Sequence, residues 1–272
     1  MVVKPYQWLA WVATVCLLTA ATLAAFNVYP LYIWAFIISN SLWILVGVLW
    51  KEKSLIVKCF TQSDGLKSYF ITSAFSSKKS NQKIAYFQPF TILEIEANHK
   101  NKGTLEHFKE VKLAHNYQNI NTDIVKSAMV FFLSEVVQNS IYEEEKNEDL
   151  FSFLKTSLLW LDANDSVSNF HLIFLLELTK FLGFYPQIQE ADFVYFEMID
   201  GVFSPFQGTS CLNAHETNLL KKALQLRYDD SQKIFAGVER QMLLKILLDY
   251  YAIHLDGFKK PKSLEILKEV FS

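Results

Sequence analysis

The chain has 272 residues, a formal net charge of −2 and three cysteines, which is enough length for one large domain or two smaller ones with an attachment. Cys16, Cys59 and Cys211 are odd in number, far apart in the sequence and form no CxxC pair. This pattern argues against a disulfide framework and a cysteine-rich zinc site, and it favours a reducing compartment.

The charged residues are distributed unevenly along the chain. Lys4 is the only charged side chain from residue 1 to residue 50. Residues 51–112 contain eleven lysines and six acidic residues, a net charge of +5, whereas residues 113–272 have a net charge of −8. A basic module is therefore joined to an acidic one, and a basic module attracts polyanions.

The first fifty residues contain two long apolar stretches, at 8–26 and 31–50, separated by a short turn that contains Pro30. Each stretch is long enough to cross a hydrocarbon core of about 30 Å as a helix. A two-span hairpin places Lys4 and the lysines at 51 and 53 on one side of the membrane, which the positive-inside tendency assigns to the cytoplasm. The sequence therefore predicts a membrane partner for residues 8–50, with residues 51–272 cytoplasmic.

Two other interpretations of these residues stay open. A signal peptide is one, although the second long apolar stretch argues against it. The other is a soluble fold in which the apolar segments are core helices or strands. In that case WILVGVLW, at 43–50, is a candidate for a buried strand.

Residues 54–115 are predicted to form a small antiparallel β-barrel similar to the OB fold. The Asp-Gly pair at 64–65 is typical of a tight hairpin turn, and two lysine-rich loops are predicted at 75–83 and 98–103. The predicted strands are 54–61, 66–74, 86–97 and 104–113. An OB fold has five strands, so the first one is either missing or supplied by residues 43–50.

Lysines interleaved with aromatic residues are typical of surfaces that bind single-stranded nucleic acid, because lysines neutralise phosphates and aromatic rings stack on bases. In the basic module the candidates for DNA contact are Lys58, Lys67, Tyr69, Lys78, Lys79, Lys83, Lys100 and Lys102. The alternative, from composition alone, is that the aromatic residues fill the barrel and the lysines only solvate its surface.

A second basic cluster, formed by Lys259, Lys260 and Lys262, comes at the start of the last predicted helix. Cations at a helix N-terminus oppose the helix dipole unless an anion lies nearby. A DNA phosphate is one such anion, so these three lysines join the candidate DNA-binding set. A plain soluble tail is the alternative.

Residues 116–272 are predicted to form an all-helical domain with an aromatic-rich core, because apolar residues recur at helical spacing. The predicted helical segments are 121–142, 148–162, 166–183, 212–226, 231–255 and 262–271. Thr122 is the candidate N-cap of the first segment, and Gly183 is the candidate C-cap of the third. His171 lies among apolar residues and is predicted to be a core or boundary histidine with its hydrogen bonds satisfied, rather than a ligand.

The acidic run at 142–149 is predicted to be a solvated loop whose last residues complement the dipole of the following helix. A docking patch for another protein is the alternative interpretation.

The chain contains no sequence motif typical of an active site: it has no GxGxxG, GxxxxGK[ST], HExxH or GxSxG. The six histidines are scattered, and paired carboxylates occur only in polar segments. These observations favour a binding protein over an enzyme, with no catalytic residue and no cofactor predicted.

From Ser54 onward the chain resembles the RecO family of bacterial recombination mediators, in the form found in the Bacteroidetes. The residues that carry the resemblance are SLIVKCFTQSDGLKSYF, SSKK, AYFQPFTILEIEANHKNKGTL, LSEVV, LDANDSVSNFHLIFLLELTKFLGFYP and GFKKPKSLEILKEVF. They occur in the family's order and cover roughly four-fifths of the chain.

The resemblance implies an OB domain followed by a helical domain. It implies binding of single- and double-stranded DNA, strand annealing, and recombinase loading in DNA repair with RecR-like and RecA-like partners. With the hydrophobic helical hairpin that the apolar stretches predict at 1–53, the domains are then an OB-like DNA-binding domain at 54–115 and a helical domain at 116–272. The lysines proposed above would then face DNA.

The sequence departs from the family pattern in two respects. Many members carry a four-cysteine zinc site, but residues 187–212 offer only Cys211, so no zinc is predicted. The family's first strand is missing before Ser54, where residues 1–53 look like part of a two-span protein of the inner membrane. The alternative function is therefore a small integral membrane protein fused to a RecO-like domain that no longer binds DNA.

Overall fold

The computed structural model describes residues 7–26, 28–49, 55–71, 85–99, 105–142, 145–189, 192–230 and 234–271. The chain divides into two compact units, one made of residues 1–55 and 72–81, the other of residues 56–71 and 82–272. Among the described residues there are eight α-helices and three small sheets, which confirms the predicted α+β class.

The N-terminal unit contains helix α1, Gln7–Ala25, and helix α2, Leu31–Leu49. The two helices pack along a line of small residues, and the side chains of Ala10, Ala13 and Ala20 are buried. The hydroxyl of Ser39 donates a hydrogen bond to the carbonyl of Ala13 across the helix pair, at 3.1 Å. Small side chains let two helix backbones approach closely, which is typical of helix pairs in membranes.

The prediction of two membrane spans is corrected to one candidate. Among the described residues, Trp8–Ala25 is long and apolar enough to cross a membrane, whereas Leu31–Leu42 is a shorter apolar stretch. The polar residues Asn40 and Ser41 lie within the second helix, which is continuous from Leu31 to Leu49. The backbone of residues 43–49 is helical, so WILVGVLW does not replace the missing first strand of a barrel.

The second unit begins with a β-hairpin made of β1, Leu55–Thr61, and β2, Gly65–Ile71. The hydroxyl of Thr61 organises its turn, because it accepts a hydrogen bond from the Asp64 N–H at 3.1 Å and donates one to the Gly65 carbonyl at 2.9 Å. Gly65 has a φ of 68°, the left-handed conformation that glycine adopts without steric cost. The predicted Asp-Gly turn is confirmed.

Two further strands, β3, Leu93–Ala97, and β4, Phe108–Leu113, form a separate antiparallel pair. A single parallel bridge between Tyr69 and Glu106 joins this pair to β2. The predicted OB-like barrel is therefore not closed within the described residues.

The third predicted strand is shorter than expected, which contributes to the open arrangement. Residues Ala85–Phe87 form a short 3₁₀ turn, and Phe90 has a φ of 58°. Pro89, between them, has no N–H to donate to a neighbouring strand. Extended structure consequently begins only at Leu93.

The rest of this unit is mainly helical. Its helices are α3, Ile124–Ser140; α4, Glu148–Ala163; α5, Phe170–Leu182; α6, Ala214–Gln225; α7, Gly237–His254; and α8, Leu264–Val270. Asp123 is the N-cap of α3, because its carboxylate accepts a hydrogen bond from the Lys126 N–H at 3.0 Å, and this corrects the prediction of Thr122. Gly183 ends α5 in the left-handed conformation, as predicted.

A small sheet between α5 and α6 was not predicted from the sequence. It consists of β5, Tyr195–Glu197; β6, Val202–Ser204; and β7, Cys211–Leu212, in the order β6-β5-β7. Phe196, Phe203 and Leu212 are buried, one from each strand, and join the core of the helical domain.

The β-strands that precede α3 pack directly against the helices. The Phe60 ring stacks on Phe151 at a centroid distance of 6.5 Å, and the Phe90 ring lies 6.4 Å from Phe174. The Tyr117 hydroxyl donates to the Phe90 carbonyl at 2.9 Å. These contacts give the two predicted modules a shared core.

Candidate nucleic-acid interface

Two lysines on the first hairpin, Lys58 on β1 and Lys67 on β2, differ in their surroundings. Lys58 is exposed on β1, whose alternate residues are half-buried, and it forms no ion pair with any other described residue. Lys67 is half-buried on β2, close enough to the Asp64 carboxylate to help lower its pKa. Both positions belong to the predicted DNA-contacting set.

Two further lysines, both on β4, form ion pairs with carboxylates of the same sheet. The Lys109 ammonium lies 2.9 Å from the Glu96 carboxylate, and the Lys112 ammonium lies 3.1 Å from the Glu110 carboxylate. The hydrogen bond and charge of Lys109 lower the pKa of Glu96. A lysine already paired with a carboxylate releases less free energy on meeting a phosphate, so these two are poorer candidates for DNA contact.

The prediction that the Tyr69 ring stacks on a DNA base is wrong. Only 1% of its surface is exposed, and its ring stacks on Phe108 at a centroid distance of 4.1 Å. Its hydroxyl lies 2.7 Å from Nε2 of His99, and burial raises the pKa of Tyr69 to about 12. With both ring and hydroxyl occupied inside the protein, Tyr69 has no face to offer a base.

The C-terminal lysines are all exposed, but they differ in their partners. Lys260 forms an ion pair with Asp249 at 2.6 Å. Lys259 and Lys262 form no ion pair within the described part of the chain. They therefore carry uncompensated positive charge at the surface.

The anion at the start of helix α8 is supplied by the chain itself. Both the N–H and the hydroxyl of Ser263 donate to Oε2 of Glu135, each at 3.0 Å. This carboxylate occupies the place where the sequence suggested a DNA phosphate, so the start of the helix does not need DNA to supply an anion. Only the exposure of the C-terminal lysines then supports their prediction as DNA contacts.

Five of the predicted DNA-contacting residues lie outside the described residues: Lys78, Lys79, Lys83, Lys100 and Lys102. Their role stays a prediction. Sequence reasoning overlooked the contact between Asp64 and His99, in which Nδ1 of His99 lies 3.3 Å from Oδ2 of Asp64. The sequence offered one signal for each residue: Asp64 belongs to the predicted Asp-Gly turn, and His99 belongs to the predicted basic loop NHKNKG.

One prediction about the helical domain is confirmed in part and a second is confirmed. His171 is buried, with its ring 5.1 Å from the ring of Phe271, but its Nδ1 has no hydrogen-bond partner among the described residues, which corrects the prediction of a satisfied histidine. Glu148 and Asp149 lie in the first turn of α4, behind the N-cap Asn147, where negative charge complements the helix dipole.

Comparison with protein families matches both parts of the second unit to one family. The family model described as Recombination protein O N terminal matches residues 43–117, and the one described as Recombination protein O C terminal matches residues 121–265. The second match alone covers more than half of the chain.

Individual relatives give the same result. A DNA repair protein RecO from Flavobacterium johnsoniae is 64% identical over 229 residues, which are 84% of this chain and 97% of the relative. Proteins of the same name from Christiangramia forsetii and Bacteroides fragilis are 43% and 35% identical, over 84% and 82% of this chain and 96% and 94% of those relatives.

The chain belongs to the RecO family. The resemblance predicted from the residues is therefore confirmed. A third family model, described as a family of unknown function (DUF6552), matches residues 2–61. The RecO match begins only at residue 43, so most of helices α1 and α2 lies outside it.

The four-cysteine zinc site that RecO resemblance implies does not fit this chain. Cys16, Cys59 and Cys211 lie on α1, β1 and β7, and no group of three or more metal-binding side chains occurs among the described residues. In the region between α5 and α6, the Ser210 hydroxyl instead donates to the Glu197 carboxylate, and the Met198 N–H donates to the Ser210 carbonyl at 3.1 Å. These hydrogen bonds tie β5 to the loop before β7.

Proposed function

We propose that this chain is a DNA-binding recombination mediator that acts in DNA repair by binding and annealing strands, without catalysing a reaction. Membership of the RecO family, whose relatives are named DNA repair proteins, carries this proposal. The net charge of +5 over residues 51–112 supports it, because a basic surface attracts the phosphate backbone.

The proposed mechanism is electrostatic capture of strands. Lysines without an internal ion pair release condensed counterions from DNA when they bind phosphates, and this release supplies most of the sequence-independent affinity. Lys58, Lys259 and Lys262 meet that condition among the described residues. The lysines at 78, 79, 83, 100 and 102 complete the proposed set from the sequence.

The helical domain is proposed to act as a scaffold and as a surface for protein partners. By family resemblance those partners are RecR-like and RecA-like proteins. The buried aromatic core of the domain, in which Phe170, Phe174, Trp160 and Tyr228 contact one another at centroid distances of 5.0–5.9 Å, is suited to hold such a surface rigid.

The salt dependence of DNA affinity tests this function. We expect fluorescence anisotropy of a labelled oligo-dT to show tight binding that weakens steeply with salt. Replacing Lys58, Lys259 and Lys262 by alanine should reduce the slope of log affinity against log salt by about 0.7 for each phosphate that is no longer bound. Lys155→Ala with Lys222→Ala, two exposed lysines outside the proposed set, is the matched control and should leave the slope unchanged.

If the triple variant and the unsubstituted chain have the same salt slope, these three lysines do not contact DNA phosphates. The alternative function, a membrane protein fused to a RecO-like domain that no longer binds DNA, predicts no salt-dependent binding by the full chain at all.

A second proposal concerns location: the N-terminal unit inserts into the inner membrane and keeps residues 51–272 in the cytoplasm. The side chains of Trp8, Trp11, Leu18 and Phe26 are between 62% and 82% exposed within that unit. A helix that exposes large apolar residues outside the face that packs on its neighbour is suited to lipid and poorly suited to water. The hydroxyls of Thr14, Thr19 and Thr22 donate to carbonyls in their own helix, so they need no water.

Flotation with lipid vesicles tests this proposal. We expect the full chain to float with phosphatidylethanolamine and phosphatidylglycerol vesicles, and Val15→Asp with Leu18→Lys to abolish flotation. Each charge at the centre of a span costs about 2.5–3.5 kcal/mol. The control places the same charges on exposed positions of the helical domain, as Ser152→Asp with Gln138→Lys. An unsubstituted chain that stays in the soluble fraction would contradict membrane insertion.

A further inference from the structure

The segment between helices α5 and α6 lies where the RecO resemblance implies a four-cysteine zinc site, but it contains a single cysteine, Cys211. Its strands β5, β6 and β7 have only two or three residues each. Sheets this small are marginally stable unless packing or cross-links hold them. A structural zinc ion is one such cross-link, so this chain needs another means of holding the segment.

The carboxylate of Glu197, at the end of β5, collects hydrogen bonds from its own turn and from the loop before β7. The Ser210 hydroxyl donates to Oε1, and the Asp200 N–H donates to Oε2 at 2.5 Å. The Ile199 N–H also donates to this carboxylate. Burial alone would raise the pKa of Glu197, but these three hydrogen bonds and the charge of His254 lower it below its ordinary value. The carboxylate is therefore ionised at neutral pH.

Backbone hydrogen bonds close the segment around this carboxylate. The Met198 N–H donates to the Ser210 carbonyl at 3.1 Å, and the Gly201 N–H donates to the Glu197 carbonyl at 3.1 Å. The Gln187 N–H donates to the Gly201 carbonyl at 2.8 Å, which attaches the chain that leads from α5. The side chain and backbone of Glu197 thus lie where three parts of the segment meet: the chain before β5, the β5–β6 turn and the loop before β7.

Further hydrogen bonds attach the closed segment to the helices. The Thr217 hydroxyl, on α6, accepts from the Phe196 N–H at 3.1 Å. Nε2 of His254, the last residue of α7, lies 2.9 Å from the Met198 carbonyl. The His254 ring also stacks on Phe184, at a centroid distance of 5.0 Å. Because a carbonyl oxygen only accepts hydrogen bonds, Nε2 of His254 carries a proton.

The side chains of Glu197, His254 and Cys211 could each bind a metal ion, but their contacts suit hydrogen bonding instead. The Glu197 oxygens face N–H and O–H groups, whose positive ends repel a cation. The protonated Nε2 of His254 has no free lone pair for a metal. The Cys211 sulfur lies 3.8 Å from the Phe206 carbonyl, the contact of a thiol that donates rather than of a thiolate that binds zinc.

We infer that the Glu197 carboxylate cross-links this segment in place of a metal ion, so that the chain folds without zinc. Hydrogen bonds to an ionised carboxylate are roughly twice as strong as those between neutral groups. Ser210, the most distant donor, lies 13 residues from Glu197, so its bond closes a loop of the chain as a metal ligand would. This role in folding does not depend on DNA binding by the chain.

Metal removal tests this role. We expect the purified full chain to contain no stoichiometric zinc by mass spectrometry of its metals, and to unfold at the same temperature with and without EDTA. Cys211→Ser, which removes the single cysteine of the segment, should shift the unfolding midpoint by less than about 3 °C. Stoichiometric zinc in the chain, or a lower midpoint in EDTA, would overturn the inference.

Glu197→Gln tests the cross-link itself. It keeps the size of the side chain but replaces one acceptor oxygen by an NH₂ group, which opposes the donors around it. We expect the unfolding midpoint to fall by about 5 °C or more, both with and without EDTA. Asp192→Asn, which neutralises an exposed acid of the same segment, is the matched control and should leave the midpoint unchanged.

Ser210→Ala supplies a milder variant, because it removes one donor to the Glu197 carboxylate and leaves the backbone donors in place. Its midpoint should fall less than that of Glu197→Gln. The double variant should lose less than the sum of the two single losses, because the two side chains contact each other. If neither single variant unfolds below Asp192→Asn, the carboxylate does not hold the segment. Should Glu197→Gln fail to fold, Ser210→Ala alone decides in the same way.

Discussion

Replacing Asp162 by alanine is expected to reduce the free energy of unfolding by about 3–5 kcal/mol, the range found when one partner of a buried charged network is removed. The Asp162 carboxylate is buried and accepts hydrogen bonds from the backbone N–H groups of Gln118, Asn119 and Ile120, at 2.8–2.9 Å. The variant leaves all three donors without this acceptor.

The same site holds a buried lysine. The Lys126 ammonium is 2% exposed and donates to the Asp162 carbonyl at 3.2 Å. Burial alone would raise the pKa of Asp162, but the three backbone donors and the charge of Lys126 outweigh it and lower the pKa below its ordinary value. The stabilisation is therefore present at neutral pH and is lost as the pH falls through the folded-state pKa.

Chemical denaturation of the full chain measures this effect. Asp165→Ala is the matched control, because Asp165 is fully exposed and lies 3.9 Å from the Lys126 ammonium; it should cost less than about 0.5 kcal/mol. The loss of unfolding free energy for Asp162→Asn should lie between the losses for these two variants. Its amide group keeps one acceptor oxygen but turns an N–H donor towards the backbone N–H groups. Equal midpoints for Asp162→Ala and Asp165→Ala would contradict the role given to the buried carboxylate.

Asp162 also links the β-strands to the helices. Its three donors belong to the segment that connects the β-strands to helix α3, and the two RecO family matches meet in the same segment, at residues 117 and 121. We therefore expect Asp162→Ala to loosen the strands from the helices, and to reduce DNA binding as well as stability.

The second large effect is the acid sensitivity of His171. Burial, together with the charge of Arg240, lowers the pKa of His171 to about 3, so the folded chain holds a neutral imidazole at pH values where the unfolded chain binds a proton. Because the unfolded state then binds more protons, stability falls as the pH drops from about 6.5 towards 3, by up to roughly 1.4 kcal/mol per pH unit.

His171→Phe should remove this contribution. The phenyl ring keeps the contact with Phe271, and the change removes Nδ1, a buried atom that has no hydrogen-bond partner among the described residues. Unfolding midpoints measured at about pH 7 and about pH 5 should converge for this variant. His215→Gln, at an exposed position on α6, is the control and should retain the full pH dependence of the parent chain. Identical pH dependence for all three proteins would contradict the assignment.

Much of this protein was readable from local sequence patterns. Helical spacing of apolar residues located the helices of the C-terminal domain, and Gly183 marked the end of α5, because helix formation and capping depend on neighbours within a few residues. The separation of an uncharged segment, a basic segment and an acidic segment was likewise visible in the sequence alone.

Tertiary structure decided the features that depend on residues distant in sequence. Strand alternation places Lys67 and Tyr69 on one face of β2, but only the packing of Phe108 shows that the tyrosine is buried. The carboxylate at the start of α8 comes from Glu135, 128 residues earlier, and the three backbone donors to the Asp162 carboxylate lie more than 40 residues away. No local pattern contains such pairs, because their energies depend on which surfaces the folded chain brings together.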